Sequence, residues 1–132
     1  MSRITYEVTG GFIGVREVLD ISTSGEARLS GKSGPLNSKQ LDPQRIQKLN
    51  RLVAAADFNN LKPKYDNGQV ADDIYETVAI SPVTGKAMSV TVAAEGGKGL
   101  TPPALLDLLK ELQDITASMR VRPTPGKAPA TP

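Results

Sequence analysis

Along residues 3–9 the side chains alternate, with Ile4, Tyr6 and Val8 in one set and Arg3, Thr5 and Glu7 in the other. A period of two sends the two sets to opposite faces of a strand. Gly10-Gly11 permits positive φ, so the strand is expected to stop or turn there. Alternation resumes from Phe12 to Ile21, with Ile13, Val15, Leu19 and Ile21 in phase and Glu17 breaking the set. Beyond the turn-prone Ser22-Thr23-Ser24-Gly25, a short third strand is expected through Glu26 to Ser30. These three strands make an antiparallel meander.

A Gly/Ser/Pro-rich stretch from Gly31 to Ser38 then switches the period. Asp42-Pro43 is a helix start, with the carboxylate as N-cap and proline at the first helical position. Ile46, Leu49, Leu52, Val53 and Ala56 fall at helical spacing, and Asp57 to Asn60 with Pro63 ends the stripe. Residues 62–73 read as a long loop. Ile74, Glu76, Val78 and Ile80 alternate with Tyr75, Thr77 and Ala79, turn at Ser81 to Gly85, and return through Met88, Val90 and Val92 as a hairpin. After the loop Glu95 to Gly99, Thr101-Pro102 repeats the cap pattern, and Leu105, Leu108, Leu109, Leu112 and Ile115 make a second amphipathic helix. The order β-β-β-α-β-β-α predicts an α+β fold, an antiparallel sheet packed against two helices, as one domain over residues 1–119. Residues 120–132 are Pro-rich and basic, too poor in apolar groups to offset their ordering entropy, and are expected to be a disordered tail.

Composition narrows the chemistry. A length of 132 residues fits one domain able to bury a core without disulfides or metal. The chain has no histidine and no cysteine. That excludes Ser-His-Asp and Cys-His catalysis, Cys/His zinc sites and dithiol redox chemistry. The expectation is therefore a non-enzyme without cofactor or metal. Glu7 interrupts any apolar leader, and no apolar run approaches the ~20 residues of a membrane span, so a cytoplasmic protein with no membrane partner is expected. The formal charge of +2 becomes −1 without Arg120, Arg122 and Lys127, so the basic pI describes the tail more than the fold.

Several runs invite a chemical reading. Gly10-Gly11-Phe12-Ile13-Gly14 lacks the spacing of a dinucleotide loop. Gly96-Gly97-Lys98-Gly99 precedes a helix and so admits a phosphate reading, but without the Walker ending a plain loop is favoured. Asp66, Asp72, Asp73 and Glu76 lack the spacing of a calcium loop, and a solvated acidic edge is favoured. Between Arg28 and Lys64 eight Lys/Arg face only Asp42 and Asp57, but Phe58 is the one aromatic there. Nucleic-acid binding is accordingly disfavoured. The resulting dipolar surface suits a protein partner. Phe12 is either a lid on the core or an anchor for that partner, and Tyr65 and Tyr75 are further anchor candidates.

The order of motifs resembles the emfourin-like proteins, small bacterial and archaeal inhibitors of protealysin-type, thermolysin-like zinc metalloproteases. The resemblance is carried by Gly10-Gly11-Phe12-Ile13-Gly14 after a first strand and by the helix ending Ala55-Ala56-Asp57-Phe58 with Leu61. Asp73-Ile74-Tyr75 opening a strand and the leucine-rich helix after Pro102-Pro103 complete it, over residues 3 to 116. The family often has an aromatic or larger apolar residue where this chain has Ile74. The resemblance implies inhibition by occluding the substrate cleft, with the Gly10 to Gly14 turn or an edge strand laid along it. Phe12 or Ile13 would be the anchor in an apolar primed-side pocket, and the carboxylates around Asp73, beside Tyr75, would make zinc-directed or rim contacts. The alternative is a non-enzymatic interaction module with a different protein partner. An enzyme working through carboxylates, Lys and Tyr alone would need a pairing the sequence does not offer.

Overall fold

The computed structural model describes residues 2–11 and 14–120. A mixed seven-stranded sheet carries two helices on one face. The strands are β1 (Arg3–Gly10), β2 (Val15–Ile21), β3 (Glu26–Gly31), β4 (Gly34–Gln40), β5 (Lys64–Tyr65), β6 (Ile74–Ser81) and β7 (Met88–Ala93). The helices are α1 (Pro43–Ala56) and α2 (Pro103–Arg120), and the sheet order is β4-β3-β2-β1-β6-β7-β5. The α+β class, the meander and the β6–β7 hairpin agree with the sequence pattern. Two points of the expected order do not.

A fourth strand precedes α1, where a Gly/Ser/Pro-rich connection was expected. It is an edge strand whose pairing with β3 slips at Leu29/Ser30, so it needs no apolar alternation. Its edge is blunted from within: Pro35 has no N–H, and the Ser38 N–H donates to its neighbour Asn37 Oδ1 at 2.8 Å. Inside the stretch expected to be loop, β5 pairs in parallel with β7, so the sheet is mixed rather than antiparallel. Helix α2 starts at Pro103, one residue later than expected, because the Thr101 hydroxyl donates to the Gly97 carbonyl. It also runs through Arg120, which pairs with Glu17, so Arg120 belongs to the helix and not to the expected tail. Residues 121–132 lie outside the described residues.

Register explains the core. Three cross-strand rows face the helices: Ala27–Ile21–Ile4–Ile80–Met88, Leu29–Leu19–Tyr6–Val78–Val90, and Gly31–Glu17–Val8–Glu76–Val92. Against them lie Leu105, Leu108, Leu109, Leu112, Ile115 and Met119 of α2, all buried. The acids at 17 and 76, which break the apolar alternation of their strands, share the third row. Each meets a polar group of α2, since Arg120 pairs with Glu17 and Gln113 donates to Glu76.

Helix α1 follows its caps. Asp42 accepts the Arg45 N–H at 2.8 Å, and the chain leaves the helix through Asp57 in the left-handed region, φ 55°. Its polar face accounts for part of the local basic excess, because Arg45 and Lys48 both reach the buried Glu111 of α2, at 2.8 and 3.1 Å. Among the described residues no helix is long and apolar enough to cross a membrane.

Truncating Leu112, fully buried under both layers, is expected to destabilise the fold by about 2–5 kcal/mol. Asp42→Ala removes only a cap and is expected to cost about 1 kcal/mol. Urea unfolding of both variants checks the order, and equal losses would contradict this assignment of the core.

Candidate functional site

Strand ends bring together residues that are far apart in sequence. The β1–β2 turn, the start of β6 and the end of β7 lie at the same end of the sheet, because Gly10 pairs with both Val15 and Ile74, and Tyr75 with Ala93. The Gly11 N–H donates to the Asp73 carbonyl at 3.1 Å, and the Gly14 N–H returns to the Gly11 carbonyl at 3.2 Å. Gly10 is required here, since a Cβ at its φ of 102° would lie 2.5 Å from the Asp73 carbonyl oxygen.

Asp73 is the hinge pin of this end. It is buried, and its carboxylate accepts three backbone N–H groups: Ile74 at 2.8 Å, Glu95 at 3.1 Å and Gly96 at 2.8 Å. Hydrogen bonds to the ionised form, that of Gly96 foremost, hold its pKa below the usual carboxylate range against the opposing effect of burial. The Gly96 carbonyl accepts from the Asn67 N–H at 2.8 Å, which adds the 66–69 turn to the same assembly. A side chain at Gly96 would run into the Asp66 carboxylate.

Five of the seven site residues expected from sequence therefore come together: Gly10, Gly11, Gly14, Asp73 and Tyr75. Phe12 and Ile13 lie outside the described residues. Tyr75 sits on the helix-free face beside Gly10, with the Lys64 ammonium 5.2 Å from its ring centroid. Tyr65 is no anchor: it is buried, and its hydroxyl accepts the Lys62 N–H. The solvated acidic edge is corrected in part, because Asp73 and Glu76 are buried, Asp66 is half-buried and of the four only Asp72 is exposed. The phosphate reading of Gly96 to Gly99 also fails. The N–H groups of Glu95, Gly96, Gly97, Lys98 and Leu100 are already bonded within the chain.

Sequence reasoning missed the role of Glu76. Its Oε1 accepts the Tyr6 hydroxyl at 2.5 Å and the Gln113 amide at 2.6 Å, between the sheet and α2. Burial first, and the bond to Glu76 second, push the Tyr6 phenol above its ordinary range. The signal available was an acid occupying an apolar position in a strand of clear alternation. Among the described residues no three metal-ligating side chains gather into a group that could hold an ion. No known protein family matches this sequence, and no characterised protein matches it.

The depressed pKa of Asp73 sets an acid limit. Above the unfolded-state value of about 3.9 its contribution to stability is complete, and it is lost as the pH falls through the lower folded value. Asp73→Asn places an amide against N–H donors and is expected to lower the urea midpoint at neutral pH. The gap from wild type should then narrow as the pH falls from about 5 toward 2. A gap that stays constant over that range would contradict the assignment.

Proposed function

We propose that this chain is a protein inhibitor of a thermolysin-like, protealysin-type zinc metalloprotease, and that the 10–14 turn occludes the substrate cleft. The observation that carries the reading is the fixing of the turn on both sides. β1 and β2 pair up to Gly10 and Val15, and the Gly11 N–H is tied to Asp73, itself locked by three N–H groups. The sequence places Phe12 and Ile13 between these fixed points. Anchoring a binding segment at both of its ends lowers the ordering cost of docking it, which favours tight binding by a small contact.

Asp73 enters this reading as the support of the turn, since its enclosed carboxylate has no free reach toward a partner's zinc. Asp72 and Lys32 flank the turn as charges without an ion pair among the described residues, one beside Asp73 and the other beside Gly14. They supply charges of opposite sign beside the described ends of the turn. The resemblance to emfourin-like inhibitors in the motif order points to the same partner class.

Titrating the protein into a protealysin-type enzyme and into thermolysin, with peptide cleavage followed, is expected to give stoichiometric loss of activity. Phe12→Ala should weaken inhibition about 30-fold, equivalent to about 2 kcal/mol. Full activity of both enzymes at micromolar inhibitor would overturn the proposal. Binding without inhibition would move the chain to an interaction module with another target site.

A further inference from the structure

Beneath the Gly97 to Gly99 stretch lies a cavity of 160 Å³, walled by Val92, Gly97, Lys98, Thr101, Leu106 and Glu76. Glu76 is only 8% exposed. Both of its hydrogen bonds, from Tyr6 and Gln113, fall on Oε1, and among the described residues Oε2 receives no donor. Among the described residues Glu76 has no ion pair either. Arg120 of α2 is held at 2.5 Å by Glu17, the other acid of the third row, and Lys98 on the cavity wall is held by Glu95 at 3.0 Å. A buried carboxyl group with one oxygen unserved is costly unless a cation or donor reaches it.

The remaining surroundings define what would reach it. The Thr101 hydroxyl is already used on the Gly97 carbonyl and the exposed Lys98 ammonium on Glu95, so the remaining walls beyond Glu76 are aliphatic side chains and backbone. A volume of 160 Å³ equals that of about five waters at ~30 Å³ each, and a lysine stem with its ammonium has about that many heavy atoms. A guanidinium is broader and asks for acceptors in a planar fork, which one oxygen does not provide. Leu106 lines the cavity and is 50% exposed, and Leu100, which stands in the chain between the lining residues Gly99 and Thr101, is 51% exposed. Two half-exposed leucines beside a carboxyl-lined cavity offer an apolar rim for a protein surface to close over.

We propose that this cavity receives the side chain of a lysine presented by a partner protein, with Glu76 as counter-ion and Leu100 and Leu106 as the apolar rim. The site stands apart from the 10–14 turn and serves any partner that carries such a lysine, so it does not rest on the inhibitor reading.

The test uses n-butylammonium as probe and 1-butanol as its uncharged analogue, titrated at constant ionic strength into the ¹⁵N-labelled full chain. Saturable amide shifts at Gly97, Lys98, Gly99 and Thr101 in the millimolar range are expected with butylammonium. Butanol, and butylammonium with Glu76→Gln, should each bind at least about tenfold more weakly, as expected for loss of a buried charge contact. Glu76→Gln preserves shape and the Oε1 acceptor, and its amide spectrum reports whether it folds. Leu106→Trp, a change at an exposed position, blocks the mouth without touching Glu76 and should abolish the shifts. Shifts that do not saturate, or that are matched by butanol or persist in both variants, would overturn the proposal.

Discussion

The Asp73 carboxylate accepts N–H groups from its own strand and from the chain after β7, while its carbonyl accepts one from the chain after β1. Backbone donors at the ends of strands must find acceptors once they leave water. Here one residue supplies them for two loops that are far apart in sequence. The consequence is positional. The backbone carbonyl of Asp73 holds Gly11 and its carboxylate holds the start of the Glu95 to Gly99 loop, so both are fixed to the sheet at the same residue. That loop in turn roofs the cavity above Glu76. Both candidate interaction features thus share one support.

The layer beneath follows a related rule. A five-residue row across the sheet includes two glutamates facing inward, an arrangement that would be destabilising against a purely apolar helix. Helix α2 answers each with a polar group, Arg120 for Glu17 and Gln113 for Glu76, and Tyr6 from the adjacent row adds its hydroxyl. On its far side α2 carries the buried Glu111, answered by Arg45 and Lys48 of α1. These pairings fix how α2 lies against the sheet and how α1 lies against α2, more specifically than leucine packing does alone. Exposed pairs such as Arg3–Asp20 and Arg28–Glu26 contribute little by comparison.

Periodicity made most of the fold legible. Strands β1, β6 and β7 and helix α1 with its Asp42-Pro43 cap lie where alternation and capping place them, because each buries one face and its residues record which. Strand β4 was not legible, since an edge strand with Pro35, Asn37 and exposed Ser38 to Gln40 carries no buried stripe. Nor was β5, whose two residues pair in parallel only because tertiary structure brings them beside β7. For the site, the glycines of the first turn and the Asp73-x-Tyr75 pattern pointed to one place. The sequence showed Asp73 as a charge, and only the assembled loops show it as a buried acceptor. Glu76 was misread for a related reason: grouped with Asp66, Asp72 and Asp73 it reads as surface, although it stands at an apolar position of its strand and register sets it between Val8 and Val92.

The dependence of both loops on Asp73 is most directly tested by native-state hydrogen exchange of the backbone amides of Gly11, Glu95 and Gly96. These three should be protected to a similar degree, close to that of β1 and β6, and in Asp73→Asn protection should fall at Glu95 and Gly96 first. Exchange of all three at the rate of open loop amides in the wild-type chain would contradict the account.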